Sequence, residues 1–269
     1  LVFSLKLFDI RAVEKFMSSE NPYAPPSFSG PSYTSSGVGG NLEIRNVKAD
    51  INDILSYAIK VWKENLGTLV CATLIVIGIS FAFAFVSAIV EAMLKGGFEA
   101  PPTPVSAIFS LVFSLVSNVI QVYIGIGQLQ LMLALLRGRQ ASLGMLFGGG
   151  ERLLPTIGVS ILLGLAVMAG LILLIIPGII VILFYWPAYS LVVDRKIPVM
   201  QSFSLARVIT KGNELTTFLM GLLSMGIVLI GFLALCIGIV FAQPLAMLLF
   251  ACGYLVMSGQ LDPKAAPAY

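Results

Sequence analysis

Histidine is missing altogether from the 269 residues, and charge is scarce, with Asp, Glu, Lys and Arg making up 11% of the chain. The first absence removes the usual proton shuttle near neutral pH, histidine-containing triads and most catalytic zinc sites. The second removes a soluble fold, because soluble domains carry about 25% charged residues. Cysteine is nearly absent as well. Cys71, Cys236 and Cys252 lie singly inside apolar runs without CxxC spacing. That pattern encodes neither a disulfide framework nor a thiolate metal site, and the three read as small lipid-side or helix-packing residues.

What the sequence has instead is 58% hydrophobic residues and a mean hydropathy of +0.99. Such a chain is an integral membrane protein of the all-α class. The net charge of +3 comes from sixteen Lys and Arg against thirteen Asp and Glu. These cations are dispersed near the ends of the apolar runs and form no block, so they speak for membrane orientation and against a nucleic-acid partner.

The first Met is Met17, which makes residues 1–16 read as an upstream or non-native extension. Residues 17–49, rich in Pro, Ser and Gly, are expected to form a disordered cytoplasmic tail, since they hold too few aliphatic residues to bury a core. From Asp50, the residues Ile51, Ile54, Leu55, Ala58, Val61 and Trp62 recur at helical spacing, opposite Asp53, Ser56, Lys60, Lys63 and Glu64. This predicts an amphipathic surface helix over 50–65, with Trp62 and the two lysines at the headgroup level.

Apolar runs follow at Gly67–Leu94, Val105–Leu136, Leu153–Ile176 and Ile179–Val193, and then 44 uncharged residues from Leu215 to Ser258. About 20 residues span a bilayer as a helix. The predicted membrane domain is therefore 50–258 with six spans, or five and a re-entrant hairpin. Pro177-Gly178 is expected to separate spans three and four, and Gln243-Pro244 to lie near the turn between five and six. The fourth run, 15 residues long, should be tilted, kinked or extended by its flanks. A second amphipathic helix is expected over 197–213, with Val199, Phe203, Ala206 and Ile209 opposite Gln201, Ser204, Arg207 and Lys211. A short cytoplasmic tail, 259–269, closes the chain.

Counted on alternating sides of six spans, twelve Lys and Arg fall on one side and Lys95 alone on the other. By the positive-inside rule both termini are cytoplasmic, in a multi-pass protein of the bacterial inner membrane.

Inside the second run, Ser110, Ser114, Ser117, Gln121, Gly125 and Gln128 project within about an 80° arc at roughly 100° per residue, with Asn118 at its edge. Such a stripe favours interhelical hydrogen bonding, because an amide in hydrocarbon costs several kcal/mol. A hydrophilic path for a small solute is the competing reading, although no ionisable residue lies at mid-membrane. Small-residue pairs such as Ser160 with Gly164, Ala166 with Gly170 and Ala234 with Gly238 permit close helix contact. Serines without a base and carboxylates scattered along one side predict no catalytic site, no metal and no cofactor. GGGE at Gly148–Glu151 lacks the Lys-Ser/Thr of a phosphate loop. Asp194 beside Arg195 and Lys196 is expected to cap a helix or to pair ionically at the membrane edge.

The stretch with Pro177-Gly178, Tyr185 to Asp194, and Lys211-Gly212-Asn213 after a surface helix, together with DILSYAIKVWKENLGTL near the start, resembles a known group. It is similar to the membrane domain attached to some bacterial glycerophosphoryl diester phosphodiesterases, and to related six-helix bacterial membrane proteins. The resemblance covers about Asp50 to Ser258 and implies a membrane module. No phosphodiesterase domain is present, and a chain without histidine matches none of that domain's histidine positions. The expected role is thus a non-enzymatic membrane scaffold or lipid-associated module. A small-solute permease or channel, and a membrane subunit of a lipid-metabolising enzyme with its catalytic part elsewhere, are the alternatives. Membrane lipids are the expected partners, in contact with Lys60, Trp62, Lys63, Arg207 and Lys211, with self-association or other membrane proteins as further partners.

Overall fold

The computed structural model describes residues 32–35, 42–234 and 237–264. The expectations for 1–16, for most of 17–41 and for 265–269 lie outside these residues. A two-stranded antiparallel hairpin, β1 (Ser32–Ser35) and β2 (Leu42–Arg45), comes first. Order therefore begins ahead of Asp50, in a stretch that composition assigned to a disordered tail. The physical reason is in the lead-in segment 45–49. The Arg45 and Val47 amides donate to the carbonyls of Ser258 and Met257 at 3.4 and 3.1 Å.

Helix α1 (Ile51–Glu64) follows, with Asp50 as N-cap accepting the Asn52 amide at 2.8 Å. Then come α2 (Leu66–Lys95), α3 (Pro104–Leu136), two short 3-10 turns (Leu143–Phe147 and Gly150–Arg152), α4 (Leu153–Leu173), α5 (Ile175–Tyr185) and α6 (Pro187–Arg195). The last three are α7 (Val199–Thr210), α8 (Glu214–Leu233) and α9 (Ile237–Met257). Thr103 and Ser106 form a reciprocal cap at the start of α3, where Pro104 occupies the first helical position and loses nothing by lacking an amide.

Six helical segments are long and apolar enough to cross a membrane: Leu66–Lys95, Pro104–Leu136, Leu143–Leu173, Ile175–Arg195, Glu214–Leu233 and Gly238–Met257. The protein is a polytopic helical bundle. Two expected turns move. The third and fourth spans part at Leu174, which is extended, and Pro177-Gly178 sits inside the first turn of α5. A helix's first amides have no intrahelical acceptor, so proline is tolerated there. The fourth span is consequently 21 residues, extended by its flanks across Trp186. The fifth and sixth spans part after Leu233, while Pro244 lies inside α9. Neighbouring groups in a bundle can satisfy the backbone that such a proline frees.

Fully buried side chains gather at one end of the bundle. Ile54, Leu131, Leu136, Leu146, Leu191, Ile209, Leu248 and Leu255 form this core, whereas Phe81, Leu111, Leu165, Ile172, Leu229 and Leu233, farther along the spans, are exposed. The packed end is also the basic end, since it carries the lead-in segment, α1, the 3-10 turns, α7 and the residues after α9. Hydrophobic burial drives association where water competes, and hydrocarbon supplies no such drive between helices in lipid. Lead-in and exit ends of the described chain lie on the same side, joined by the Lys264–Asp53 ion pair at 3.0 Å.

Neither amphipathic helix keeps its apolar face free for lipid. Helix α1 buries Ile54, Tyr57, Ala58 and Val61 within the core, and the Trp62 indole donates to the Phe241 carbonyl of α9 at 3.1 Å. Helix α7 buries Ser202, Leu205, Ala206, Ile209 and Thr210. Its buried face is turned slightly from the one set by Val199 and Phe203, which are only partly covered. Gly127 explains how the loop after α3 joins this core. A side chain there would strike the Leu146 backbone, so only glycine lets the first 3-10 turn lie against α3. Among the small-residue pairs, Gly170 meets Gly178 backbone to backbone, whereas Gly164 has no neighbour to approach.

Candidate functional site

The polar groups of the basic end converge on Asp194, the penultimate residue of α6. It is 7% exposed and is held from three directions. Arg137, just past the end of α3, donates both terminal nitrogens to the two carboxylate oxygens, each at 2.7 Å. Tyr254 of α9 donates its hydroxyl to Asp194 Oδ2 at 3.0 Å, and Arg195 Nε lies 3.3 Å from the same oxygen. Gln260, after α9, closes the ring. Its Oε1 accepts from Arg137 Nη2 at 2.7 Å and Arg195 Nη2 at 2.6 Å, and its Nε2 donates to the Tyr254 hydroxyl and to Ser258 Oγ. A two-pronged Arg–carboxylate pair fixes orientation as well as distance. Burial alone would lower the pKa of Arg137, but the hydrogen bonds and charge of Asp194 outweigh it and push it up, so the guanidinium stays charged.

Beside this cluster opens a cavity of about 780 Å³, lined by Arg137, Arg139, Arg152, Arg195, Asp194 and Gln260. Four arginines and one carboxylate line it, a formal balance of +3 for these side chains. Leu133, Ala134 and Met145 add apolar wall. Arg139 also borders a neighbouring cavity of about 550 Å³, whose walls include Glu64, Asn65 and Thr68. Lys196 pairs with Glu151 at 2.7 Å on the exposed surface. Among the described residues, no group of three or more Cys, Asp or Glu could hold a metal ion.

A second buried polar junction secures the lead-in segment. Asn213, 1% exposed, accepts the Ala49 amide at 2.9 Å and donates to the Val47 carbonyl at 2.9 Å. Asn46 in turn donates to the carbonyls of Val208 and Lys211, at 2.8 and 2.6 Å, and Thr216 donates to the Ala49 carbonyl at 3.0 Å. Lys211-Gly212-Asn213 therefore does more than end α7, because its asparagine ties together pieces of chain more than 160 residues apart. Gly212 supplies the left-handed turn, with φ +83°.

The polar stripe of α3 is divided by the structure. Ser114, Ser117 and Gln121 share a cleft of about 300 Å³ with Ser80 and Ser87 of α2. Gln121 donates to Ser80 Oγ at 3.0 Å, and Asn118 to the Ser114 carbonyl of its own helix at 2.8 Å. Gln128, 6% exposed, lies apart from that cleft. Gly125, between them, has the Tyr189 hydroxyl against it. The residues expected to meet headgroups all lie at the basic end. Lys63, Arg207 and Lys211 are exposed and Lys60 is half-buried, while Trp62 is engaged with α9. Arg207 stacks over the Phe184 ring at 3.5 Å.

The sequence held Arg137, Arg139 and Arg152 only as marks of sidedness and Asp194 as a capping or ion-pairing residue beside Arg195 and Lys196; Arg195 does lie against it, while Arg137 was not foreseen as its main partner. Asp194 closes one span and Arg137 another on the same side, which was a usable sign of pairing across the bundle. Tyr254 and Gln260 carried no such sign. No family model, curated protein or solved structure matches the chain.

Proposed function

We propose that this protein is a non-enzymatic integral membrane module, a scaffold of the bacterial inner membrane whose basic end faces the cytoplasm and associates with anionic lipid. The observation that carries this reading is the asymmetry of charge on the folded bundle. Twelve Lys and Arg of the described residues gather at the packed end and Lys95 alone lies at the other. Cations near a membrane surface gain about 1 kcal/mol each from an anionic leaflet, and cytoplasmic loops carry the excess of Lys and Arg. The resemblance to phosphodiesterase-linked membrane domains is in keeping with a module of this kind.

Lys63 and Lys211 project from this end without an ion pair among the described residues. In vesicles of phosphatidylcholine with phosphatidylglycerol, Lys60, Lys63, Arg207 and Lys211 should be protected from chemical labelling, and salt should remove the protection. Protection that ignores both salt and anionic lipid would overturn the reading. A path for a small solute is the second reading, favoured by the serine-lined cleft at Gln121. Cysteines placed at Ser114, Gln121 and Gln128 in a cysteine-free background distinguish the two, since an open path makes all three accessible to water-soluble reagents.

A further inference from the structure

We infer that the arginine-lined cavity is a binding site for a phosphate-bearing anion, with the phosphomonoester dianion as its preferred form. The inference deepens the lipid-associated reading and rests on it only for the source of the anion. Three observations carry it. First, four arginines and one carboxylate line the cavity. That carboxylate is already spent, because both Asp194 oxygens are occupied by Arg137, with Tyr254 and Arg195 on Oδ2. The excess positive charge therefore has no counter-charge among the described side chains that line the cavity.

Second, two of the arginines are fixed in place before any ligand arrives. Asp194 and Gln260 together orient Arg137, and Gln260 orients Arg195 through Nη2. Buried Arg195 Nε has no hydrogen-bond partner of acceptable geometry. Preorganised donors bind with less loss of side-chain freedom than mobile ones. Arg139 and Arg152, in contrast, take part in no ion pair among the described residues, and they are the donors left to close on a ligand. A guanidinium fork matches two phosphate oxygens, and a phosphomonoester carries about −1.5 to −2 near neutral pH, against −1 for a diester.

Third, the site's place in the fold suits an amphiphile. The arginines line a cavity whose walls also include the apolar Leu133, Ala134 and Met145, at the basic end of spans that are apolar farther along. The volume of about 780 Å³ falls within the usual range of about 300–1,000 Å³ for small-molecule sites. Either a lipid headgroup such as that of phosphatidic acid or a free phosphate offers the required chemistry.

The test uses the full chain, with Arg139→Gln/Arg152→Gln as the site variant and Lys63→Gln/Lys211→Gln as the surface control. Lipid retained by the purified protein is measured by native mass spectrometry from nanodiscs of phosphatidylcholine containing phosphatidic acid, phosphatidylglycerol or neither. Binding of inorganic phosphate to the detergent-solubilised protein is measured separately by calorimetry. Phosphatidic acid should be retained in preference to phosphatidylglycerol, and the site variant should lose about tenfold or more in affinity, with the control unchanged. If inorganic phosphate binds with the same dependence on Arg139 and Arg152 and phosphatidic acid does not, the site holds and its ligand is soluble. The inference is overturned if wild type binds neither probe, or if the site variant binds as wild type does. Loss of retention in the surface control alone would overturn the site while leaving lipid association standing. In the Asp194→Asn chain the cavity loses its carboxylate and keeps its four arginines, so phosphate affinity should rise, and a fall would count against the site.

Discussion

Replacing Asn213 with alanine should open the lead-in segment while leaving the bundle folded. The side chain is 1% exposed, and its loss strands two backbone groups. The Ala49 amide, in a residue 5% exposed, has Asn213 Oδ1 as its acceptor, and the Val47 carbonyl accepts from Asn213 Nδ2. A buried group left without its partner costs about 1–3 kcal/mol, and the half-buried Val47 carbonyl costs less because water can reach it. Together they come to about 2–4 kcal/mol. Asn46 and Thr216 keep their own bonds to this junction, so the change is local. Hydrogen exchange followed by mass spectrometry reads it directly. At roughly 1.4 kcal/mol per factor of ten, exchange over 46–50 should quicken by about 30- to 1,000-fold. The core of α9 should keep its protection. Asn213→Asp retains the acceptor for Ala49 but sets a carboxylate against the Val47 carbonyl in a buried site, so it should open the segment at least as far. Unchanged exchange over 46–50, or an equal rise along the whole chain, would refute the reasoning.

Asp194→Ala removes the carboxylate that Arg137, Arg195 and Tyr254 share, leaving partly buried guanidinium groups uncompensated. With Arg137 24% exposed, a loss of about 2–4 kcal/mol is expected, read as a lower thermal midpoint in detergent. With Asp194 intact, Arg137→Lys should also lower the midpoint, because an ammonium cannot reproduce the two-pronged pair. Gly127→Val should destabilise by about 1–3 kcal/mol or more through collision with the Leu146 backbone. Gly164→Val meets nothing within 4 Å and should leave the midpoint unchanged, so equal behaviour of the two valines would contradict the packing described here.

The spans were legible because lipid imposes one simple rule, a long apolar run for each crossing, and Leu66–Lys95 and Pro104–Leu136 fall within a residue of the apolar limits. Turns were less so. Pro177-Gly178 and Gln243-Pro244 carry residues that break helices in water, yet both lie within helices here, one where the missing amide costs nothing and the other inside a bundle. Periodicity pointed to amphipathic surface helices at 50–65 and 197–213; helices stand at Ile51–Glu64 and Val199–Thr210, but protein covers much of their apolar faces, which period alone does not tell. The polar stripe on α3 was visible, and its partner Ser80 was not, since a single serine in an apolar helix carries no pattern. Least legible was the Arg137–Asp194–Tyr254–Gln260 cluster. Arg137 and Asp194 are marked in the sequence only as the ends of spans and Tyr254 and Gln260 not at all, and the packing of α3, α6 and α9 brings them together.

The central claim is that six spans place the lead-in segment, the loops carrying Arg137–Arg152 and Asp194–Asn213, and the end of α9 on one side of the membrane. Single cysteines at Lys63, Arg139, Lys211 and Lys264, and at Phe98 in the turn after α2, can be installed in a cysteine-free chain and labelled with a membrane-impermeant maleimide in vesicles of known orientation. The account predicts that the first four react from the same side and Phe98 from the opposite side. Reaction of Lys264 from the side of Phe98, or of Arg139 from a side different from Lys63, would contradict it.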